Sequence, residues 1–236
     1  MHVPGLRAHW LTQTFVHWPY PPDRIQSLLP RGLTVDTYDG SAWVSLTPFV
    51  MAGVRPHGSP AALPAFAETN LRTYVRGPDG GQGLWFLSIE VGCPVMLAAR
   101  AVGVPYHLGR LRLARRDGVV AYSGARRGGG TGYRLSVRPG EPIRPSGRDV
   151  WLTSRWRAFT RQLGGLWETP VEHAPWPLRE ARLETLSETV TTVAGLPAPV
   201  TEPVVHFSDG VRDVRLGVSH PVRRRGRTFP GSAPDG

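Results

Sequence analysis

Residues 68–75 read Glu-Thr-Asn-Leu-Arg-Thr-Tyr-Val. Successive side chains of a β-strand point to opposite faces, so this alternation predicts a strand with two different faces. One face carries a carboxylate, an amide, a guanidinium and a phenol: Glu68, Asn70, Arg72 and Tyr74. The other face carries Thr69, Leu71, Thr73 and Val75, as expected of a surface that packs on a core. The polar row suits the wall of an internal cavity, where Arg72 binds an anionic ligand and Glu68 transfers a proton. A solvated polar face is the alternative interpretation.

Alternating segments and turn residues on both sides of this stretch predict more strands and few helices. Asp39-Gly40 is typical of a two-residue hairpin turn. Short helices are predicted over residues 23–29 and 95–102. Strands are predicted over residues 10–18, 33–38, 42–51, 66–76, 84–91, 108–114, 119–124, 133–137, 178–191, 204–207 and 211–218. The prediction is an α+β, mostly antiparallel single domain over residues 1–220, followed by a disordered basic tail over 221–236.

The composition excludes several protein classes. The 236 residues are 40% hydrophobic and 19% charged, which is typical of a globular protein. Stretches of 18 apolar residues and a secretory leader are both absent, so we expect a cytoplasmic protein with no membrane partner. The single cysteine, Cys93, excludes an intramolecular disulfide and a cysteine-rich zinc site. Metal-ligand motifs with the known His and Glu spacings are also absent, so neither a metal nor another cofactor is predicted.

All 28 basic residues are arginines, and the sequence contains no lysine. The side chains therefore supply no amine for a Schiff base and no lysine for a phosphate-binding loop. The positive charge is concentrated in residues 100–148, which hold eleven arginines against Asp117 and Glu141. Arg110 and Arg112 alternate with leucines and share one strand face. Nucleic-acid binding by this segment is a less favoured alternative, since base composition of the gene also explains the arginines.

Several segments spread over residues 10–220 resemble the YqjF-like family of uncharacterised conserved bacterial proteins. That family is similar to the acetoacetate decarboxylase superfamily, which implies a closed, cone-like antiparallel β-barrel with an internal ligand cavity and allows a homo-oligomer. The most specific motif is the strand that begins at Glu68. The segments that carry the resemblance are Leu28-Leu29-Pro30, Asp36-x-Tyr38-Asp39-Gly40, Trp43-Val44-Ser45-Leu46, Phe49, Glu68-x-Asn70-x-Arg72-x-Tyr74-Val75, Pro105-Tyr106 and Glu172-His173-x-Pro175-Trp176-Pro177-Leu178.

The resemblance also locates a departure from decarboxylase chemistry. Those enzymes carry a Pro-Lys-Lys-like stretch whose first lysine forms the Schiff base. The similar stretch here begins at Gly103 and places Tyr106 where that lysine would stand and His107 beside it. Glu68, 38 residues before Tyr106, matches a cavity glutamate of the decarboxylases. The resemblance thus implies that the pocket persists while Schiff-base decarboxylation does not.

These observations give the candidate site. Glu68, Tyr106 and His107 are the candidate catalytic residues; of the last two, we expect Tyr106 to face the cavity, since adjacent strand residues point to opposite faces. Asn70, Arg72 and Tyr74 are candidate ligand-binding residues, and Trp85 is either a cavity wall or a core residue.

The sequence does not decide the role of residues 172–176 or whether the protein is catalytic. Glu172, His173 and Trp176 fit either a binding site or a proline-anchored turn. The sequence favours binding of a small anionic or carbonyl ligand, by a lysine-independent acid–base enzyme or by a non-catalytic sensor.

Overall fold

The computed structural model describes residues 4–222, in which strands dominate. Four helical segments occur: α1 (Pro22–Gln26), a 3₁₀ helix (Pro94–Val102), α2 (Gly147–Thr153) and α3 (Val190–Val193). The strands are β1 (Leu6–Tyr20), β2 (Thr34–Val35), β3 (Thr37–Tyr38), β4 (Ser41–Pro56), β5 (Phe66–Arg76), β6 (Gln82–Val91), β7 (Tyr106–Arg116), β8 (Val119–Arg126), β9 (Gly132–Pro142), β10 (Arg157–Gln162), β11 (Gly165–Glu172), β12 (Leu178–Glu188), β13 (Val204–Leu216) and β14 (His220–Pro221). No helix in this range is long and apolar enough to span a bilayer.

Nine strands close into a ring in the order β6-β7-β8-β9-β12-β13-β1-β4-β5, and β5 pairs back to β6. Most neighbours are antiparallel, while β6 pairs in parallel with β7 and with β10. The space inside this ring is filled by a core of aromatic and aliphatic side chains, including Trp18, Leu71, Tyr133 and Phe207. This arrangement confirms the predicted fold class: a mostly antiparallel, closed, cone-like sheet with a few short helices.

The hairpin β10–β11 makes a second closed circuit on the same sheet. It pairs with β6 on one side and with β13 on the other. Seven strands therefore surround a second interior, in the order β6-β10-β11-β13-β1-β4-β5. Strand β5 belongs to both circuits, so one of its faces packs on the nine-strand core and the other faces the second interior. This shared wall positions the candidate site.

The structure corrects several predicted elements. The helix predicted over residues 95–102 is a 3₁₀ helix, Pro94–Val102. Its C-cap residue, Gly103, adopts the left-handed conformation. Helix α2 was not predicted, although Ser146 and Asp149 form a capping box at its start. The hairpin β10–β11 was not predicted either, because most of its residues are only partly buried and their alternation is weak.

Several boundaries also differ from the prediction. The strand predicted to reach residue 191 ends at Glu188, because α3 follows it. The two strands predicted over 204–218 form one strand, β13, and the one predicted over 33–38 is split into β2 and β3. The predicted tail begins inside β14, which includes Pro221; residues 223–236 lie outside the described residues.

Asp39-Gly40 forms the predicted two-residue turn. Tyr38 pairs with Ser41, and both turn residues have positive φ, 49° and 73°. Positive φ at both central positions is typical of the turn whose twist matches a hairpin.

Candidate functional site

The seven-strand circuit encloses a cavity of about 310 Å³. Every strand of the circuit contributes lining residues, and the 3₁₀ helix and the start of β7 complete the wall. Three of the four residues of the polar face predicted on β5 line it: Glu68, Asn70 and Arg72. The opposite face packs on the nine-strand core, where Leu71 is fully buried and Thr69 hydrogen-bonds the Tyr133 hydroxyl. The period-two pattern of the sequence therefore corresponds to a cavity face and a core face.

Arg72 is a buried cation that faces the cavity. Its side chain is 8% exposed, and burial lowers the pKa of its guanidinium. It donates a long hydrogen bond of 3.5 Å to the Leu152 carbonyl and lies over the Phe15 ring at 5.5 Å. Within residues 4–222, no carboxylate forms a salt bridge with it, and its buried Nε has no hydrogen-bond partner. A buried charge without a counter-charge is costly, so this group suits an anionic ligand.

A belt of amide and hydroxyl groups lies next to Arg72. Asn70 pairs with Thr47 on β4, and both side chains line the cavity. The buried Asn70 Oδ1 has no hydrogen-bond partner within the described chain. Gln13 on β1 also lines the cavity, and its amide donates to the Thr14 carbonyl at 3.0 Å. These groups can orient a polar ligand through hydrogen bonds.

Glu68 and Tyr106 meet across the cavity wall. The Tyr106 hydroxyl donates to Oε2 of Glu68 at 3.4 Å, and both side chains are buried. Burial raises the pKa of Glu68 to about 8, although hydrogen bonds from Tyr106 and Asn70 act to lower it. Burial, together with the nearby Glu68 carboxyl, also raises the pKa of Tyr106 well above its ordinary value. Glu68 therefore holds a proton at neutral pH and can donate it or exchange it with a ligand.

Three lining residues come from distant parts of the chain. Arg155 pairs with Asp36 at 3.3 Å and stacks over Trp151, with 4.4 Å between its guanidinium carbon and the ring centroid. His173 lies 5.1 Å from the Trp176 ring, measured between ring centroids, and burial lowers its pKa. The sequence singled out His173 and Trp176 without deciding between a site and a turn, and it contained no signal for Arg155.

Three predicted site residues do not line the cavity. Tyr74 lies behind the wall, where its hydroxyl bonds Ser45 Oγ at 2.6 Å and the Leu152 carbonyl. Trp85 packs partly buried in a cluster with Val75 and Phe159. His107 pairs with Glu90 across the parallel strands β6 and β7 and is half-buried. Of the adjacent residues Tyr106 and His107, Tyr106 lines the cavity and His107 does not.

Most arginines at the turns of the basic segment are paired with acids. Arg115 pairs with Asp209, and Arg116 pairs with its neighbour Asp117. Arg126 binds both carboxylate oxygens of Glu90 and the Ser88 hydroxyl. Arg110 and Arg112 are exposed on β7. Within the described part of the chain, no cluster of three or more His, Cys, Asp or Glu side chains could hold a metal ion.

Comparison with known proteins gives the family. Residues 7–212 match the DUF2071 family of uncharacterised conserved proteins. The chain belongs to this family. It is also 30% identical to the uncharacterised protein YqjF of Bacillus subtilis (strain 168) over 211 residues, which cover 86% of this chain and 87% of that protein. The predicted YqjF-like relationship is thereby confirmed.

Solved structures share the fold at low sequence identity. An acetoacetate decarboxylase-like enzyme from Sphingomonas wittichii RW1 matches with a TM-score of 0.65 and 21% identity over 93% of each chain. The enduracididine biosynthesis enzyme MppR in complex with pyruvate matches with a TM-score of 0.63 and 15% identity, over 95% of this chain and 93% of that one. Acetoacetate decarboxylase from Legionella pneumophila matches with a TM-score of 0.58 and 13% identity, over 92% and 87%. The fold of this protein is acetoacetate decarboxylase-like.

Proposed function

We propose that this protein binds a small oxo acid in the cavity, with Arg72 bound to the ligand carboxylate. The observation that carries the proposal is the buried Arg72 guanidinium, which faces the cavity and has no carboxylate partner within residues 4–222. An arginine can bind a carboxylate through two parallel hydrogen bonds, and a ligand carboxylate would neutralise this charge. The structural neighbours support an oxo acid as the ligand, since MppR is complexed with pyruvate and the Legionella protein is an acetoacetate decarboxylase.

Asn70, Gln13 and Thr47 orient the rest of the ligand. They form the polar belt between Arg72 and Glu68, and Asn70 Oδ1 is a buried acceptor without a partner in the described chain. A ligand hydroxyl or enol can donate to this oxygen. The Asn70 amide has two N–H donors, and the one that does not donate to Glu68 can bind the oxygen of a carbonyl.

Glu68 and Tyr106 supply proton chemistry. A pKa of about 8 places Glu68 where protonated and ionised forms are both available near neutral pH. We assign Glu68 the removal and return of the proton on the carbon next to the ligand carbonyl, while the Tyr106 hydroxyl hydrogen-bonds the carbonyl oxygen. The chain has no lysine, so this enolisation proceeds without a Schiff base.

Calorimetric titration with pyruvate tests the binding site. The wild-type protein is expected to bind pyruvate and to reject the neutral analogue pyruvamide. Arg72→Met is expected to lose ten- to a hundredfold in affinity, because a charge-assisted hydrogen bond contributes about 1.5–3 kcal/mol. Arg110→Met, at an exposed arginine outside the cavity, is the matched control and should bind as the wild type does. Unchanged affinity in a folded Arg72→Met variant would refute the proposal.

Exchange of the pyruvate methyl protons with deuterated water tests the chemistry. Wild-type protein should accelerate exchange, and Glu68→Gln should abolish the acceleration while it still binds pyruvate. If the wild type binds pyruvate but exchange stays at the buffer rate, the proton-transfer role assigned to Glu68 is wrong, and a non-catalytic ligand sensor is favoured.

A further inference from the structure

The walls of the cavity change in character along β4 and β5. Arg72 and Asn70 mark the polar end, and Thr47 pairs with Asn70 at the same level. Two residues further along, Phe49 pairs with Glu68, and after another two Met51 pairs with Phe66. Passing from Asn70 towards Phe66, the wall thus turns from polar to apolar, with Glu68 at the boundary.

The cavity continues beyond Glu68 into an apolar end. Six apolar residues line it there, of which Leu6 and Val102 are exposed: Leu6, Met51, Val54, Met96, Ala99 and Val102. The hydroxyl-bearing residues Thr160 and Ser219 also line the cavity, and both bond the Gln162 amide. Met51 and Val54 belong to a buried cluster with Phe49, and Met96 and Ala99 pack against Ile89 and Tyr106. The 3₁₀ helix therefore forms one wall of the apolar end.

The size of the cavity exceeds what a three-carbon acid fills. At about 30 Å³ for each water-sized group, the cavity of about 310 Å³ holds roughly ten heavy atoms. Arg72 and Glu68 lie four residues apart on β5, so their Cα atoms are about 13 Å apart along the strand, and a small oxo acid meets both groups only where the two long side chains converge on it. A ligand held by its carboxylate at Arg72 must be extended to reach past Glu68.

From this polarity gradient we infer that the ligand is an amphipathic oxo acid, with an apolar alkyl or aryl tail that occupies the end lined by Met51 and the 3₁₀ helix. The inference rests on the proposed function and names its substrate class. The carboxylate binds Arg72, the oxo group lies between Asn70 and the Glu68–Tyr106 pair, and the tail lies beyond Glu68. Transfer of the tail from water to this apolar surface supplies most of the affinity, and Arg72 determines the orientation.

A homologous series of ligands tests the inference. Straight-chain 2-oxo acids from pyruvate to 2-oxooctanoate are titrated into the full-length protein by calorimetry. Each added methylene is expected to raise the affinity about threefold to fourfold until the apolar end is full. The corresponding primary alcohols, which have a tail but no carboxylate, are expected to bind far more weakly.

Two variants locate the tail. Ala99→Phe fills the apolar end and is expected to remove the gain in affinity that each added methylene gives in the wild-type protein. Ala98→Phe, the exposed neighbour on the same helix, is the matched control and should keep the wild-type series. Met51→Ala enlarges the apolar end and should move the best chain length to a longer acid, so the inference stays testable if Ala99→Phe does not fold.

The outcomes separate this inference from the proposed function. Pyruvate binding that depends on Arg72, with no gain in affinity along the series, overturns the inference and leaves the proposed function standing. The inference is also overturned if each methylene raises the affinity equally for acids and alcohols. The same holds if Ala99→Phe leaves the gain in affinity along the series unchanged. If no member of the series binds, both fail.

Discussion

The Tyr106 hydroxyl lies 3.4 Å from Oε2 of Glu68, and this contact joins the start of β7 to the cavity face of β5. The sequence resemblance predicts that Tyr106 occupies the position of the Schiff-base lysine of the decarboxylases. A lysine there would favour the ionised form of Glu68 whenever the amine is protonated, whereas a phenol carries no positive charge. Because the Tyr106 phenol adds no positive charge, burial remains the largest effect on the pKa of Glu68 and raises it to about 8. In this contact the buried Glu68 carboxyl is therefore the group that holds a proton at neutral pH.

Glu68 makes the stability of the protein depend on pH. Its folded-state pKa, about 8, lies above the ordinary value of 4.5, so the folded protein keeps a proton that the unfolded chain releases. The free energy of unfolding should therefore fall as pH rises from about 4.5 to 8, by at most about 1.4 kcal/mol per pH unit.

Glu68→Gln is expected to lose this pH dependence. Urea unfolding of both proteins at pH 5 and pH 8 measures the effect, and Glu202→Gln, at an exposed glutamate, is the control. Wild type and Glu68→Gln with the same change in unfolding free energy between the two pH values would contradict the assignment.

Tyr106→Phe is expected to raise the pKa of Glu68 further. The hydrogen bond from Tyr106 favours the ionised carboxylate, so its loss leaves burial less opposed. Titration of the ¹³C-labelled Glu68 carboxyl by NMR measures the shift. Tyr133→Phe removes a buried hydroxyl that bonds Thr69 on the opposite face of β5, and it should leave the Glu68 titration unchanged. A lower pKa of Glu68 in Tyr106→Phe would contradict the expectation that the Tyr106 hydroxyl stabilises the ionised carboxylate.

Tyr106→Lys should restore a nucleophile to the cavity. Burial lowers the pKa of a lysine, and the neutral amine attacks a ketone to form an imine with loss of water. Treatment with pyruvate and borohydride should reduce that imine and leave a stable adduct, detected by mass spectrometry on residue 106. Arg110→Lys, at an exposed position, should give no comparable adduct. An unmodified Tyr106→Lys protein would show that position 106 is not open to a small oxo acid.

Arg126 has a structural role that is separate from the cavity. It forms a salt bridge with Glu90 in which the two side chains are 19% and 5% exposed. Arg126→Met leaves the Glu90 carboxylate buried without its partner and should lower the free energy of unfolding by about 3–5 kcal/mol. The solvent-exposed pair Arg116–Asp117 is the control, and Arg116→Met should leave stability unchanged. Urea unfolding measures both. An undiminished stability in Arg126→Met would contradict this role.

The sequence predicted the cavity face of β5 because period two is a property of the strand itself. Glu68, Asn70 and Arg72 all line the cavity, as that period requires. Tyr74 continues the same period but is covered, since its hydroxyl bonds the Leu152 carbonyl of α2 and the Ser45 hydroxyl. A contact between β5 and a helix nearly eighty residues later leaves no trace in the local pattern.

The rest of the cavity depends on tertiary contacts of the same kind. Arg155 lines it because Asp36, 119 residues away in sequence, holds its guanidinium. The 3₁₀ helix reaches it because Gly103 lies so close to the Arg161 backbone that a side chain there would collide with the carbonyl. Neither approach follows from residue periodicity. Arg155 lies in the short connection between α2 and β10, and Arg161 lies on β10, and the sequence predicts neither of these two elements.

A crystal structure of the protein soaked with 2-oxohexanoate would show whether Arg72 binds the carboxylate of an oxo acid. The ligand carboxylate is expected within hydrogen-bond distance of the Arg72 guanidinium, with the oxo group facing Asn70 and the Glu68–Tyr106 pair and the alkyl tail beside Met51. A ligand bound in the cavity with its carboxylate away from Arg72, or a cavity that excludes the acid under conditions where it binds in solution, would contradict the claim.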